Sequence, residues 1–247
     1  MPTPENAPKA ADTAHGRFEV TRWSIVLAAR GDDPAARGAL EILCLNYWYP
    51  LYAFVRRQGH QPHDAQDLTQ EFFAALLQKG WLEGVAREKG KFRSFLLASM
   101  KHFLSNQRDR ARAQKRGGGR PPISLDTHSA ESRYAMEPVD GTTPEKIFDR
   151  RWAITLLEQV LGRLRAELAA RGSSVLFDEL KASLSGQQSP YAQIGEKLSM
   201  SEGAVKVAAH RLRRRYRELI REEIAQTVDN EKDVEEELRD LLAALSG

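Results

Sequence analysis

Apolar residues recur at every third or fourth position along most of this chain, and no stretch shows a convincing alternation of apolar and polar residues. That spacing is the repeat of a helix with one buried face, so the expected fold class is all-α. Leu40, Leu43, Tyr47, Leu51 and Phe54 mark one helix. It opens at Asp33-Pro34, with Pro suited to the first helical position, and runs to about Arg57 before Gly59 stops it. A shorter helix, with Trp23, Val26 and Leu27, is expected to be capped by Thr21. Leu68, Phe72, Ala75 and Leu76 share a face over 62–78. Phe92, Phe95, Leu96, Ser99, Met100 and Phe103 form the buried stripe of a helix starting near Lys91. Thr143-Pro144-Glu145-Lys146 opens a long helix striped by Trp152, Leu156, Val160 and Leu164. Further helices are expected at about 174–184, 190–198, 201–226 and 231–245.

The helices fall into two groups. Residues 1–16 are polar and read as a disordered tail. Residues 17–117 form a first helical domain, and 118–144 a flexible linker, the pattern being broken from Gly117 through Gly118 and Gly119 to Pro122. Residues 145–226 form a second helical domain, and 227–247 an acidic C-terminal helix. No apolar run approaches the roughly 20 residues that span a bilayer, and the start lacks a signal-peptide apolar core. The single cysteine, Cys44, sits among Ile42, Leu43 and Leu45 and reads as a small core residue. A cytoplasmic protein without membrane insertion is expected.

Charge is unevenly spread behind a net value of only +3. Residues 87–120 hold eleven Lys and Arg against two acids, and 201–221 hold seven against two, whereas 222–247 hold nine acids against two basic residues. Two basic segments suit a polyanion gripped at two places, although each could equally be a solvated helix face.

The sharpest motif lies at 191–216. Ile194 and Leu198 point inward on a short helix, and Gly195 is small enough for a second helix to cross closely. Ser199-Met200-Ser201 makes the turn, with Met200 plugging the corner and Ser201 placed as an N-cap. The next helix buries Val205, Ala208, Ala209 and Leu212. This is the spacing of a helix-turn-helix, whose second helix enters the major groove. Glu202 and Lys206 are placed to reach base edges, and His210, Arg211, Arg213 and Arg214 continue that exposed face, the later arginines to grip phosphates. The plain alternative is a helical hairpin with a basic face.

In the first group, 63–73 carries Asp64, Ala65, Asp67, Gln70, Glu71 and Phe73 at the spacing D-A-x-D-x-x-Q-E-x-F. Asp67, Gln70 and Glu71 lie three and four residues apart, which puts them on one polar, acidic face. Thr69 falls within it, where phosphorylation would alter docking. Solvation alone, or a divalent metal, would be other uses for these carboxylates. One helix offers few ligands, however, and His60 and His63 have no partner motif. Downstream, 91–112 combines an apolar helix with Lys101, His102, Asn106, Arg108, Arg110 and Arg112, suited to a displaced single strand.

Taken in order, these segments resemble the extracytoplasmic-function (ECF) sigma factors, over about 35–117 and 145–226. The resemblance implies sigma region 2 and sigma region 4 domains on a tether. Asp64, Asp67, Gln70, Glu71 and Phe73 would dock on the clamp helices of the largest subunit of core RNA polymerase. The 101–112 face would open and capture the minus-ten element of promoter DNA. The helix-turn-helix would read the minus-thirty-five element. Such a factor catalyses nothing and holds no cofactor; many relatives are held by an anti-sigma factor, and a regulatory kinase is another possible partner. Phe95-Leu96, His102 and Asn106 depart from the Trp-Leu, Asn and Asp common in the family. The rival functions are a stand-alone helix-turn-helix regulator, which the acidic 64–71 face does not suit, and a metal-dependent nuclease, for which no convergent ligand set is visible. The acidic tail has Val234, Leu238, Leu241, Leu242 and Leu245 at helical spacing. It is expected to pack on the second domain or to shield the basic helix.

Overall fold

A computed structural model of the chain describes residues 26, 28, 29, 34–78, 82, 90–113, 127–137, 142–185, 190–228 and 231–246. The 1–16 tail, Thr21, Trp23 and Leu27, and positions 118–126 and 138–141 of the expected linker lie outside the described residues. Among the described residues every regular element is helical: α1 (Pro34–Arg57), α2 (Pro62–Gln78), α3 (Phe92–Ala113), α4 (Thr127–Tyr134), α5 (Pro144–Ala170), α6 (Ser174–Leu180), α7 (Tyr191–Leu198), α8 (Glu202–Ala225) and α9 (Glu231–Ser246), with a 3-10 turn at Lys181–Ser185 after α6. No described helix is long and apolar enough to cross a membrane.

Local sequence chemistry sets the helix ends. Pro34, Pro62 and Pro144 each take the first helical position, where a missing N–H costs nothing. Thr143 caps α5 by accepting from the Lys146 N–H at 3.3 Å. Gly59 adopts φ +94° just past α1, a conformation that L side chains rarely tolerate.

The centre of the molecule is the packing of α5 along α1. Tyr47 of α1 meets Phe92 of α3 edge-on at 5.7 Å and stacks on Phe148 of α5 at 6.5 Å. Further along, Gln159 of α5 donates to the Asn46 side chain at 2.7 Å. The same long helix continues past α1 to pack on α8, with Leu156, Val160 and Leu164 buried. The two groups of helices therefore do not have separate cores; α5 belongs to both.

The expected linker also contains an ordered element. Helix α4 lies across α1, with Ala130 buried and Glu131 accepting from Arg56 Nη2 at 2.7 Å and from the Tyr52 hydroxyl at 2.5 Å. The Arg56 guanidinium also covers the Tyr134 ring at 4.7 Å. Ionic and aromatic contacts hold this helix, so a search for apolar periodicity passes over it.

Helix α9 closes the molecule by packing on α5 and α8, burying Val234 and Leu241. Of the two tail readings, packing describes this arrangement. Glu236, Glu237 and Asp240 turn towards the start of α3, and Glu235 pairs with Arg221 in the C-terminal half of α8 rather than with its N-terminal half. Glu237, 1% exposed, accepts from Arg93 through both carboxylate oxygens at 2.8 and 3.1 Å, and Arg93 also reaches Asp240 and Asp149. Lys91 joins the cluster at 2.6 Å from both Glu237 and Asp240, and the Arg93 guanidinium sits 4.5 Å over Trp152 of α5.

Candidate nucleic-acid interface

Helices α7 and α8 meet at a three-residue turn. The Met200 N–H bonds back to the Gly195 carbonyl at 2.8 Å, a bond that turns the chain over the end of α7. Ser199 takes a left-handed conformation, φ 53°, and Ser201 returns to extended backbone. The Ser201 hydroxyl then accepts from the Ala204 N–H at 3.2 Å, which satisfies one of the orphan donors of α8. Gly195 is required by the turn itself: a Cβ there would stand 2.6 Å from the Met200 carbonyl oxygen. The close neighbour is thus the turn backbone, not the body of the crossing helix. Val205, Ala209 and Leu212 are buried beneath α8, with Ile194 from α7, while Ala208 and Met200 are partly covered.

This leaves Glu202, Lys206, His210, Arg211 and Arg214 exposed on α8. Lys206 bonds Glu202 at 2.7 Å, and that hydrogen bond together with the carboxylate charge raises the lysine pKa. Arg214 donates to Glu218 at 2.9 Å. Arg213 is placed differently: half-buried, it donates to the Tyr191 hydroxyl at 2.5 Å and braces α8 against the start of α7. Arg215, beside it, is fully engaged by Glu167 of α5 and by Glu222. Adjacent arginines in the sequence therefore divide between surface and scaffold, which the run of basic residues alone does not reveal.

On α3, Lys101, His102, Asn106 and Arg108 are exposed. Lys101 pairs with Glu145 of α5 at 2.7 Å, and its hydrogen bond holds that carboxyl below the ordinary value. Arg108 donates to Gln58 at 2.8 Å. Arg110 and Arg112 belong to the helical backbone of α3, but their side chains lie outside the described residues.

The acidic face of α2 is narrower than its spacing implies. Asp64 and Glu71 are exposed, and Asp67 stands half-exposed beside His63 at 3.2 Å. Glu71 accepts from Gln107 of α3 at 2.6 Å. Gln70 is 8% exposed and Phe73 3%, the latter packed edge-on against Phe72, so neither presents a side chain to a partner. Thr69 is fully buried and donates to the Ala65 carbonyl at 2.7 Å, which removes it from reach of a kinase in the folded state. The buried stripe of α2 runs through Ala65, Thr69, Phe72, Phe73 and Leu76 and is wide enough to include these positions. Cys44 is partly buried, and desolvation pushes its thiol up to about 12, consistent with a packing role. Among the described residues, no group of three or more His, Cys, Asp or Glu is arranged to hold a metal ion.

The chain matches no protein-family model, no curated protein and no solved structure.

Proposed function

We propose that this chain is a transcription initiation factor of the ECF sigma class, which joins core RNA polymerase and directs it to particular promoters. The observation that carries the proposal is the α7–turn–α8 unit: a capped helix crossing a short helix, with its N-terminal half exposed and bordered by basic residues. Duplex DNA at the minus-thirty-five element would receive that half, with Glu202, Lys206, His210 and Arg211 towards base edges and Arg214 towards phosphate. Arg213 would keep the two helices in register. Further support comes from the acidic face of α2, now Asp64, Asp67 and Glu71, which suits the clamp helices of the polymerase. The exposed Lys101, His102, Asn106 and Arg108 of α3 suit an opened minus-ten strand.

The mechanism requires rearrangement. Lys101 must leave Glu145, and Glu71 must leave Gln107, before either can serve a partner. Both are exchanges of exposed pairs, which are individually weak. The chain performs no chemistry in this scheme and works in the cytoplasm, where an anti-sigma factor would be a natural antagonist.

The test is co-elution of the full chain with bacterial core polymerase, for the wild type and for Asp67→Arg/Glu71→Arg. Binding by the wild type, lost on charge reversal, is the expected result. No binding by the wild type, with tight dimer binding to duplex DNA instead, would establish the stand-alone regulator.

A further inference from the structure

Two positions on the exposed side of α8 run against what a helix prefers, and nothing in the fold accounts for either. Gly203 has ordinary helical backbone, and a Cβ placed on it would meet no atom within 4 Å. The fold therefore does not need glycine there, although glycine carries a larger conformational-entropy cost in a helix than alanine. One turn on, Val207 is 51% exposed. A β-branched residue is a weak helix former, and this one covers no core. Leu45, Met136, Val175 and Leu242 are also exposed among the described residues, but none of them stands between basic residues on a capped second helix of this kind. Val207 is bordered by Lys206, His210, Arg211 and, two turns further along the helix, Arg214.

A single exposed apolar side chain is ordinary on a protein surface. A paired gap and apolar knob on a basic face is a different feature. The missing side chain at Gly203 lets an external surface approach the helix, and the locked χ1 of Val207 holds two methyl groups at the place of approach. In the major groove, the group that rewards an apolar contact is the C5 methyl of thymine.

We infer that Val207 is a specificity-determining residue that reads one thymine methyl in the duplex element bound by α8, with Gly203 supplying the clearance. The inference rests on the proposed function, since it presumes that α8 enters duplex DNA. Thymine is selected over cytosine at that position by contact with the methyl rather than by a hydrogen bond. Arg214, on phosphate, holds the helix in the groove irrespective of sequence.

The experiment enriches duplexes from a randomised pool with the full chain bound to bacterial core polymerase, and with the full chain alone. Each thymine of the enriched element is then replaced by deoxyuridine, which removes only the methyl group. Wild-type affinity should fall about four-fold at one position, the effect of leaving one methyl uncovered. Val207→Ser should show no response to deoxyuridine at that position while binding unrelated duplex as the wild type does, and Val207→Thr, which keeps one methyl, should retain the response. An enriched element in which deoxyuridine changes nothing, or in which Val207→Ser keeps the wild-type response, overturns the assignment of Val207 and leaves the proposed function standing. No enrichment under either condition overturns both.

Discussion

At the residue scale, Gly195 shows how a small position is fixed by its surroundings. Alanine is the better helix former, so propensity alone would make Gly195→Ala stabilising. The Cβ would stand 2.6 Å from a backbone oxygen, however, and the turn backbone cannot move aside as a side-chain tip could. The substitution is expected to destabilise the protein by about 1–3 kcal/mol, the range for overpacking. Urea unfolding measures this directly, and a midpoint equal to or above that of the wild type would contradict the geometry. The turn chemistry of Ser199, Met200 and Ser201 was legible in the sequence because its signals are local. The inward turn of Gln70, Thr69 and Phe73 was not. Spacing shows which residues of a helix share a face, but the breadth of the buried stripe depends on how many neighbours pack around it.

The helix ends followed from short-range chemistry, and the spans of α2, α7 and α8 agree with their capping and apolar repeats to within a residue or two. Helix α4 escaped because its anchors, Glu131 and Tyr134, bind partners more than 70 residues earlier in the chain. The contact between α3 and α9 escaped for the same reason. Basic residues near the start of α3 and acids near the chain end were visible as charge runs, but not as a matched pair. In the structure, Arg93 is buried and depends on Glu237 for bidentate bonding, with Asp149 and Asp240 completing its shell. Glu237→Ala is expected to cost about 3 kcal/mol, the lower end for breaking a buried pair, because two carboxylates remain. Arg93→Met/Glu237→Leu should recover most of that loss. Chemical denaturation of the three variants decides it; a double variant no better than the single one would mean that charge burial is not the source of the cost.

For the whole molecule, the shared core of α1, α5 and α8 implies that folding is one event. Ionic ties between the helices also give that event a pH dependence. Hydrogen bonds from Arg56, Lys101 and Arg215 hold Glu131, Glu145 and Glu167 below the ordinary carboxyl value of 4.5. A carboxyl whose pKa is lower when folded stabilises the fold above 4.5 and loses that contribution as pH falls through its folded value. Asp149 acts in the opposite sense, since burial raises its pKa in the fold. The three glutamates outnumber it, so stability should decline below pH 4.5, with circular dichroism and tryptophan fluorescence reporting a single transition. Two separated transitions would instead indicate independently folding halves. The pairing of Arg93 with Glu237 also sets a timetable for a nascent chain. The partners are 144 residues apart, which separates their synthesis by roughly 7–30 s at a rate of about 5–20 residues per second. Throughout that interval Arg93 has only Asp149 and the Trp152 ring of α5 as partners, and the bidentate bonding that completes its burial waits for α9. The closed form is therefore attained only after α9 has been made, and a ribosome stalled shortly before residue 237 would hold a chain whose Arg93 still lacks its bidentate partner.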